Sequence, residues 1–325
     1  RIRKRRCNMK VLNKKNIMTL IITAIIYALI QVLLTTGIIS SFYEITIATI
    51  CINIILAASL NLVTGFTGQF SLGHAGFMSI GAYTGALINL EMNSTAGFLI
   101  GVAGGAVAAA LVGILIGIPT LRLKGDYLAI ATLGMAEIIR VMFLNMDNIT
   151  NGAAGLNGIP RFTNWLWLFV FTVLTLVIIN NFVRSSQGRA CISIREDEIA
   201  AESMGINTTK YKVTAFAIGA FFAGIGGALY SSYFYFISPT IFGFQKSIDI
   251  LVIVVFGGMG SITGSVIAAM LLAIITTLLQ SYSELRMIIY AVLLIAIMLF
   301  RPQGLLGTKE VTDLFKFGKK DAKVQ

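Results

Sequence analysis

Charged residues are scarce in this 325-residue chain, at 12% of the total. Soluble globular domains carry about 25% charged residues, so this scarcity excludes a water-soluble globule. Hydrophobic residues make up 57% of the chain, and the mean hydropathy is +0.86. Many of the apolar runs reach about 17–25 residues, the length of a membrane-spanning helix. The sequence therefore predicts an all-α, polytopic helical membrane protein, since a lipid-spanning barrel would show short alternating segments instead.

Groups that build catalytic and metal centres are also rare. The chain has one histidine, His74, and its three cysteines, Cys7, Cys51 and Cys191, show neither metal-ligand spacing nor an even disulfide framework. No nucleophile–base set stands out, which disfavours an integral-membrane enzyme. The phosphate-binding motif G-x-x-x-x-G-K-[ST] is absent. We predict that the chain is not an enzyme, has no catalytic residue or ATPase site, binds no cofactor directly and holds no metal.

Ten apolar runs separate short polar segments. They lie at about 17–39, 45–63, 78–90, 97–118, 127–145, 165–183, 213–236, 248–256, 265–280 and 287–300. If every gap reverses the chain, both termini lie on one side. Nearly all of the 25 Lys and Arg residues fall in segments assigned to that side, the exceptions being Arg140, Arg161, Lys246 and Arg286. This bias predicts about ten spans with both termini in the cytoplasm, and the runs 78–90 and 248–256 are candidates for half-helices.

The domain prediction follows from these runs. Residues 1–16 are predicted to be a basic cytoplasmic tail, residues 17–303 a transmembrane domain that includes the cytoplasmic segment 184–212, and residues 304–325 a second cytoplasmic tail. Residues 1–8 precede Met9-Lys10-Val11 and are interpreted as an upstream extension or an expression remnant. The net charge of +11 is explained by topology and by contact of the tails with membrane lipid, so we predict no nucleic-acid partner.

Two glycine-rich gaps resemble each other. The first glycine segment, residues 65–77, reads GFTGQFSLGHAGF, and the second glycine segment, residues 257–264, reads GGMGSITG. The predicted topology places both segments on the same side of the membrane. Paired hydrophobic segments interrupted by glycine indicate a transport path, while close helix packing through small residues is the alternative, and the two are compatible. We expect a broken-helix hairpin at each segment.

Ionisable groups within the spans are hypotheses for function. Glu137 and Arg140 lie three residues apart, close enough to pair on one helix, either as a structural pair or as part of the path. His74 in the first glycine segment is either a hydrogen-bonded structural group or a path residue. The outer loop 147–164 is polar and nearly uncharged. It either closes over the path, meets an extracytoplasmic partner, or is a solvated connector.

The polar segment 184–212 interrupts the apolar runs. Within it, Ser193 and Glu196 have the spacing of a capping box, and Gly205 is suited to a left-handed helix end. These signals predict one short helix over 194–204, with Ala200, Ala201 and Met204 on a small apolar face. A helix with both ends capped favours a protein-docking role over a solvated linker. The predicted docking residues are Arg195, Glu196, Asp197, Glu198, Ala200, Ala201, Glu202, Met204 and Gly205.

The string EIAAESMG at residues 198–205 resembles the EAA loop of ABC importer permeases, in which Glu-Ala-Ala is followed by three residues and glycine. Ala200, Ala201 and Gly205 match, whereas the position of the family's glutamate holds Ile199, with Glu198 one residue early. This departure leaves open whether Glu198 or Glu202 replaces the missing glutamate. Together with NLVTGFTGQFSLGHAGFMSIGAY, LRLKGDYLAIATLGMAEIIR and FGGMGSITG, the chain is similar to the LivM-type permeases of branched-chain amino-acid ABC transporters from about residue 53 to 304.

The resemblance implies a permease subunit of the bacterial cytoplasmic membrane, working by alternating access. Its implied partners are a homologous second permease with which it forms a heterodimer, two cytoplasmic ATPase subunits that use ATP, and an extracytoplasmic amino-acid-binding protein. In that family the EAA-like helix couples to the ATPase. The same machinery carrying urea or amides is the nearest alternative, and an ion-coupled secondary transporter is a more distant one.

A zwitterionic amino acid needs hydrogen-bond donors for its carboxylate and acceptors for its ammonium group, and broken helix ends can supply both. The first glycine segment and the end of the preceding run offer polar side chains and glycine backbone. The predicted path residues are Asn61, Thr64, Gly65, Gly68, Gln69, Ser71, Gly73, His74 and, from a later span, Glu137.

Overall fold

The structure is a computed structural model that describes residues 25, 27–36, 40–123, 125–279, 292, 295, 299, 304, 305 and 307. The chain divides into two compact units, Arg1–Ile45 and Thr46–Gln325. In the first unit, residues 27–35 are helical. The predicted runs 17–39 and 287–300 lie partly outside the described residues, so the ten-span count and the side of the termini stay predictions.

Helices account for nearly all of the regular structure in the described part of the chain. Apart from the helical turn Asp147–Thr150 and the 3-10 turns Gly152–Ala154 and Pro239–Phe242, the helices within the described residues 40–279 are α1 (Ser41–Asn61), continued by a π-helical turn (Leu62–Phe66), α2 (His74–Met92), α3 (Thr95–Thr120), α4 (Asp126–Leu144), α5 (Trp165–Arg184), α6 (Ser186–Glu196), α7 (Glu198–Ser203), α8 (Thr208–Phe234), α9 (Phe244–Gly257) and α10 (Ile262–Leu278). Within the described residues, five apolar helices are long enough to cross a membrane: Phe42–Phe66, Thr95–Thr120, Asp126–Leu144, Trp165–Arg184 and Thr208–Phe234. The prediction of an all-α, polytopic membrane protein is confirmed at this level.

The core is a three-helix contact between α2, α3 and α8. Gly81, Gly105 and Gly224 meet at one level of this contact, where a Cβ on Gly81 would collide with the carbonyl oxygen of Gly224. A Cβ on Gly105 would lie 2.8 Å from the carbonyl oxygen of Gly81. Lipid supplies no hydrophobic driving force between helices, so small residues that let backbones approach are what brings membrane helices together.

Both glycine segments break the helices, as predicted. After the π-helical turn the backbone is non-helical over residues 67–73, and α2 begins at His74. Glycine residues in this stretch and after α9 adopt left-handed backbone conformations, with φ of +73° at Gly68 and +91° at Gly260. Helix α9 has 14 residues, or about 21 Å, and is shorter than a bilayer core of about 30 Å. Helix α2 has 19 residues and is therefore longer than the half-helix considered for run 78–90.

The outer loop 147–164 contacts the far end of α8. Leu156 and Asn157 form strand β1 (Leu156–Asn157), which pairs antiparallel with β2 (Phe236–Ile237), just after α8. The guanidinium of Arg161 lies 4.7 Å from the ring centroid of Tyr233 and donates to the hydroxyl of Tyr235. The loop is therefore packed on its own chain, which differs from a free solvated connector.

Candidate coupling and translocation site

The polar segment forms two helices, and the single helix predicted over 194–204 is wrong. Helix α6 begins after Ser185, whose extended backbone (φ −72°, ψ 174°) and hydroxyl, which accepts from the Gly188 N–H, make it the N-cap. At Ser193 the chain is therefore already helical, and the Ser193 hydroxyl donates to the carbonyl of Ala190. The capping box of Ser193 and Glu196 does not form, because an N-cap residue needs a non-helical backbone.

Asp197 is the residue that begins α7. Its backbone is extended (φ −155°, ψ 110°), and its carboxylate accepts hydrogen bonds from the Ile199 and Ala200 N–H groups at 2.9 and 3.0 Å. Aspartate is among the preferred N-cap residues, and its negative charge suits the positive end of a helix. Glu196, predicted for the first helical turn, instead ends α6 and is exposed.

The end of the predicted helix is confirmed. Gly205 has a φ of +80°, its N–H donates to the carbonyl of Glu202, and the Ile206 N–H donates to the carbonyl of Ala201. This pair of bonds is a Schellman motif, which favours glycine at the left-handed position. Helix α7 is therefore short but terminated at both ends.

The outward face of α7 carries apolar side chains. Met204 is 83% exposed and Ile199 is 75% exposed, and Ala200 lies beside them on the surface. Ala201 is buried at 5% exposure, so the predicted common face of Ala200, Ala201 and Met204 is wrong for Ala201. Ile199, a departure from the EAA pattern in the sequence, is thus an additional exposed apolar group that no local sequence signal revealed.

Two carboxylates connect α7 to the first turns of α8. The Lys212 ammonium forms an ion pair with Glu198 Oε1 at 2.6 Å, and the Thr208 hydroxyl donates to Glu202 Oε1 at 2.8 Å. The Lys212 side chain is only 11% exposed, so loss of Glu198 would leave a largely buried charge without this partner. Both glutamates therefore hold α7 against α8. Lys212 and Thr208 have no local sequence signal that would have assigned them this contact.

Asn61 joins the two glycine segments. Its amide nitrogen donates to the carbonyl of Ser261 and to the hydroxyl of Ser265, and its amide oxygen accepts from the Gly260 N–H, each at 2.8 Å. Asn61 is fully buried. A Cβ on Gly65 would collide with the Asn61 amide and with the Gly260 backbone. The predicted path residues Asn61 and Gly65 are thus used in close packing between segments 200 residues apart.

Arg195, at the end of α6, contacts both glycine segments. Its Nη1 donates to the carbonyl of Gly65 at 2.8 Å. A Cβ on Gly260 would lie 2.9 Å from Nη1, and a Cβ on Gly68 would lie 2.9 Å from the Arg195 Cγ. The polar segment and both glycine segments therefore meet at one place, which agrees with the predicted topology that gives them the same side.

Most polar side chains in and just before the first glycine segment bond to protein groups. The Thr64 hydroxyl donates to the carbonyl of Leu60, the Ser71 hydroxyl accepts from the Gly73 N–H, and His74 Nε2 lies 2.7 Å from the hydroxyl of Ser59. His74 is buried, and this bond agrees with the structural interpretation. A Cβ on Gly73 would lie 2.7 Å from the carbonyl oxygen of Thr132, so Gly73 allows α4 to approach.

Gln69 differs from its neighbours. It is 3% exposed, and neither its amide oxygen nor its amide nitrogen has a hydrogen-bond partner among the described residues. A buried polar group without a partner costs about 1–3 kcal/mol. Gln69 lies in the non-helical stretch 67–73, and its amide, free among the described residues, can hydrogen-bond a bound molecule.

Glu137 and Arg140 form the predicted pair on α4. Nε of Arg140 donates to Glu137 Oε2 at 2.7 Å, and the two side chains are 26% and 34% exposed, respectively. Glu137 lines a surface depression with Gly134, Ile138, Val141, Met142 and Asn145. The pair is therefore on an open face of α4, apart from the contact between the glycine segments, and its role in a path stays a prediction.

These features define a class of protein. Helices long and apolar enough for a membrane, two glycine-interrupted segments in contact, and a capped polar helix beside them are typical of a transport permease. Residues 42–298 match the family described as "Branched-chain amino acid transport system / permease component". The chain belongs to this family.

Similar proteins agree with the family. The chain is 38% identical over 289 residues to the high-affinity branched-chain amino acid transport system permease protein LivM of Salmonella typhimurium, covering 78% of this chain and 68% of that one. The LivM of Escherichia coli has the same identity and coverage. The permease protein LivH of Escherichia coli is 35% identical over 147 residues, 44% of this chain and 47% of that one. The comparison with solved structures found no match.

Proposed function

We propose that this chain is a translocation subunit of an ABC importer that carries branched-chain amino acids across the bacterial cytoplasmic membrane. Separate ATPase subunits supply the energy from ATP, and the chain itself hydrolyses none. A homologous second permease completes the pore, and an extracytoplasmic binding protein delivers the amino acid. Family membership and the names of the similar proteins support the substrate class. Transport proceeds by alternating access, with both termini of the chain in the cytoplasm.

The observation that carries the proposal is the construction of α7. It is capped by Asp197, ended by Gly205 and held to α8 through Glu198 and Lys212. A six-residue helix does not persist without such contacts, since isolated short helices are unstable in water. A small helix kept rigid and presenting exposed Ile199 and Met204 is suited to an apolar groove in an ATPase subunit.

The docking test removes the exposed apolar groups. We expect the double variant Ile199→Asp/Met204→Asp to reduce co-purification of the ATPase subunits about tenfold or more, because two exposed apolar contacts are replaced by desolvated carboxylates. The variant should still insert and elute as the wild-type subunit does, since both side chains are exposed. Leu123→Asp is the control, because Leu123 is also exposed, in the short link between α3 and α4.

Equal ATPase yields from the double variant and the Leu123→Asp control would contradict docking through α7.

Uptake by the assembled wild-type importer in proteoliposomes tests the substrate. We expect ATP-dependent accumulation of leucine, isoleucine or valine. Accumulation of urea alone would move the chain to the urea and amide class, and uptake without ATP would contradict the ABC assignment.

Gln69 is the path residue with unused hydrogen-bonding capacity, and we propose that it contacts the passing amino acid. We expect Gln69→Leu to lower transport about tenfold, as loss of a polar contact with a charged ligand group does. Its unfolding temperature in detergent should be unchanged or higher, because the variant removes a buried group that has no hydrogen-bond partner in the described part of the chain.

Thr64→Val is the matched control for Gln69→Leu. The Thr64 hydroxyl is buried just before the first glycine segment, and among the described residues it bonds to the helix backbone at the carbonyl of Leu60. We expect near wild-type transport from this variant. Normal transport by Gln69→Leu would remove Gln69 from the path, and a large fall in its unfolding temperature would assign it a structural role.

A further inference from the structure

Arg195 lies where the polar segment 184–212 and the two glycine segments meet. It lies in the last turn of α6, its Nη1 donates to the Gly65 carbonyl of the first glycine segment, and it lies against Gly260 of the second. The glycines make room for it, because a Cβ at position 68 or 260 would approach the Arg195 side chain to 2.9 Å. Both positions also have positive φ, which favours glycine.

The acceptor at Gly65 is a helix-end carbonyl. Gly65 belongs to the π-helical turn that ends α1, and the last carbonyls of a helix have no partner within it. A guanidinium that supplies the missing donor forms a charge-assisted hydrogen bond, which is about twice as strong as a neutral one. The bond therefore ties α6 to the point at which the first span stops being helical.

The other edge of the same guanidinium contacts Glu196. Arg195 Nε donates to Glu196 Oε1 at 3.1 Å, and Nη2 pairs with the same oxygen. Glu196 is followed directly by Asp197, the N-cap of α7. Only Glu196 and Asp197 thus separate Arg195, which contacts both glycine segments, from the first residue of α7. The arginine side chain is 26% exposed and directed inward, in contrast to the docking role predicted for it from the sequence.

We propose that Arg195 is the positioning residue that transmits displacement of α7 to the contact between the two glycine segments. This inference rests on the proposed function, since α7 moves only if an ATPase subunit binds it. Arg195 acts through the backbone of Gly65 and does not contact the transported molecule. A second connection runs from α7 to α8 through Glu198 and Lys212. Loss of Arg195 therefore separates ATP hydrolysis from transport without detaching the ATPase.

The test uses the complete importer in proteoliposomes and measures ATP hydrolysed for each amino acid transported. In Arg195→Gln we expect the ATPase subunits to co-purify normally. We expect the number of ATP molecules hydrolysed for each amino acid transported to rise about tenfold, which is within the range of coupling changes caused by residues that touch neither ligand. Arg195→Lys should recover part of the coupling, because lysine can still donate to the Gly65 carbonyl but lacks the planar fork that also holds Glu196.

Arg189→Gln is the matched control. Arg189 is on the same helix, carries the same charge, is exposed, and its Nη1 donates to the carbonyl of Arg184 nearby. We expect this variant to keep the wild-type ratio. Glu196→Gln, at an exposed position, should raise the ratio about threefold because the fork loses its anionic partner while the bond to Gly65 is kept.

The outcomes separate this inference from the proposed function. A wild-type ratio in Arg195→Gln overturns the transmission role and leaves the ABC assignment standing. Wild-type protein that neither binds ATPase subunits nor shows ATP-dependent uptake overturns the assignment itself. If Arg195→Gln does not assemble with its partners, Arg195→Lys and Glu196→Gln test the transmission role instead. Wild-type ratios of ATP hydrolysed to amino acid transported in both variants would overturn the inference.

Discussion

Helices α6 and α7 are neighbours in sequence with opposite surroundings. Helix α6 is packed inward: Cys191 and Ile194 are buried, and the Cys191 thiol donates to the carbonyl of Tyr211. Burial raises the pKa of that thiol to about 11. Helix α7 is mostly exposed, and of its six residues only Ala201 is fully buried. The difference indicates a division of work within one polar segment, in which α7 is accessible to a partner and α6 connects it to the membrane part.

Among single substitutions, we expect the largest effect on the packing of α6 from a change at Gly188. A Cβ there would collide with the carbonyl oxygens of Phe182 and Val183 at the end of α5. We expect Gly188→Ala to cost about 3 kcal/mol or more, since overpacking at a close backbone contact forces the helix away. Helix α6 would shift and carry Arg195 with it. Thermal unfolding in detergent and the ATP-to-substrate ratio measure the two effects.

Gly205→Ala is the control on the exposed helix. Nothing lies within 4 Å of a Cβ at this position, although its φ of +80° disfavours alanine. The expected cost is about 1 kcal/mol from backbone strain alone. Similar losses of unfolding temperature in both glycine variants would contradict the contrast between a packed α6 and an exposed α7.

A smaller effect is expected at Asp197, where the two helices part. Asp197→Ala removes the side-chain acceptor of the Ile199 and Ala200 N–H groups, which should cost about 1 kcal/mol. Because α7 is short and exposed, we expect the loss to appear as faster amide hydrogen exchange in α7 and not as a lower global unfolding temperature. Asp197→Asn keeps a capping oxygen and should exchange nearly as the wild type does. Unchanged exchange in Asp197→Ala would contradict the capping role.

Composition and periodicity predicted much of this architecture. Runs 97–118, 127–145 and 165–183 correspond closely to α3, α4 and α5, because a membrane-length apolar stretch has few structures available to it. The end of α7 at Gly205 was predictable because a left-handed helix end favours glycine. Both signals are local, and each depends on one property of one segment.

The start of α7 was not predictable from the same kind of signal. Ser185, Ser193 and Asp197 can all cap a helix, and the choice depends on where α6 begins, which packing against α5 decides. Contacts over long sequence distances are also invisible to local patterns. The bonds from Asn61 to residues 260–265 and from Arg195 to Gly65 join chain segments more than 100 residues apart. The unpaired amide of Gln69 follows from the same packing and could not be derived from the sequence.

Helix α8 has 27 residues and is about 40 Å long, longer than the bilayer core. Near its first turn Lys212 binds α7, and just beyond its last turn β2 pairs with the outer loop. The same helix therefore contacts α7 near one end and the strand pair with loop 147–164 just beyond the other. In the importer proposed above, an ATPase bound at α7 and a delivery protein bound at that loop would both act on this one helix.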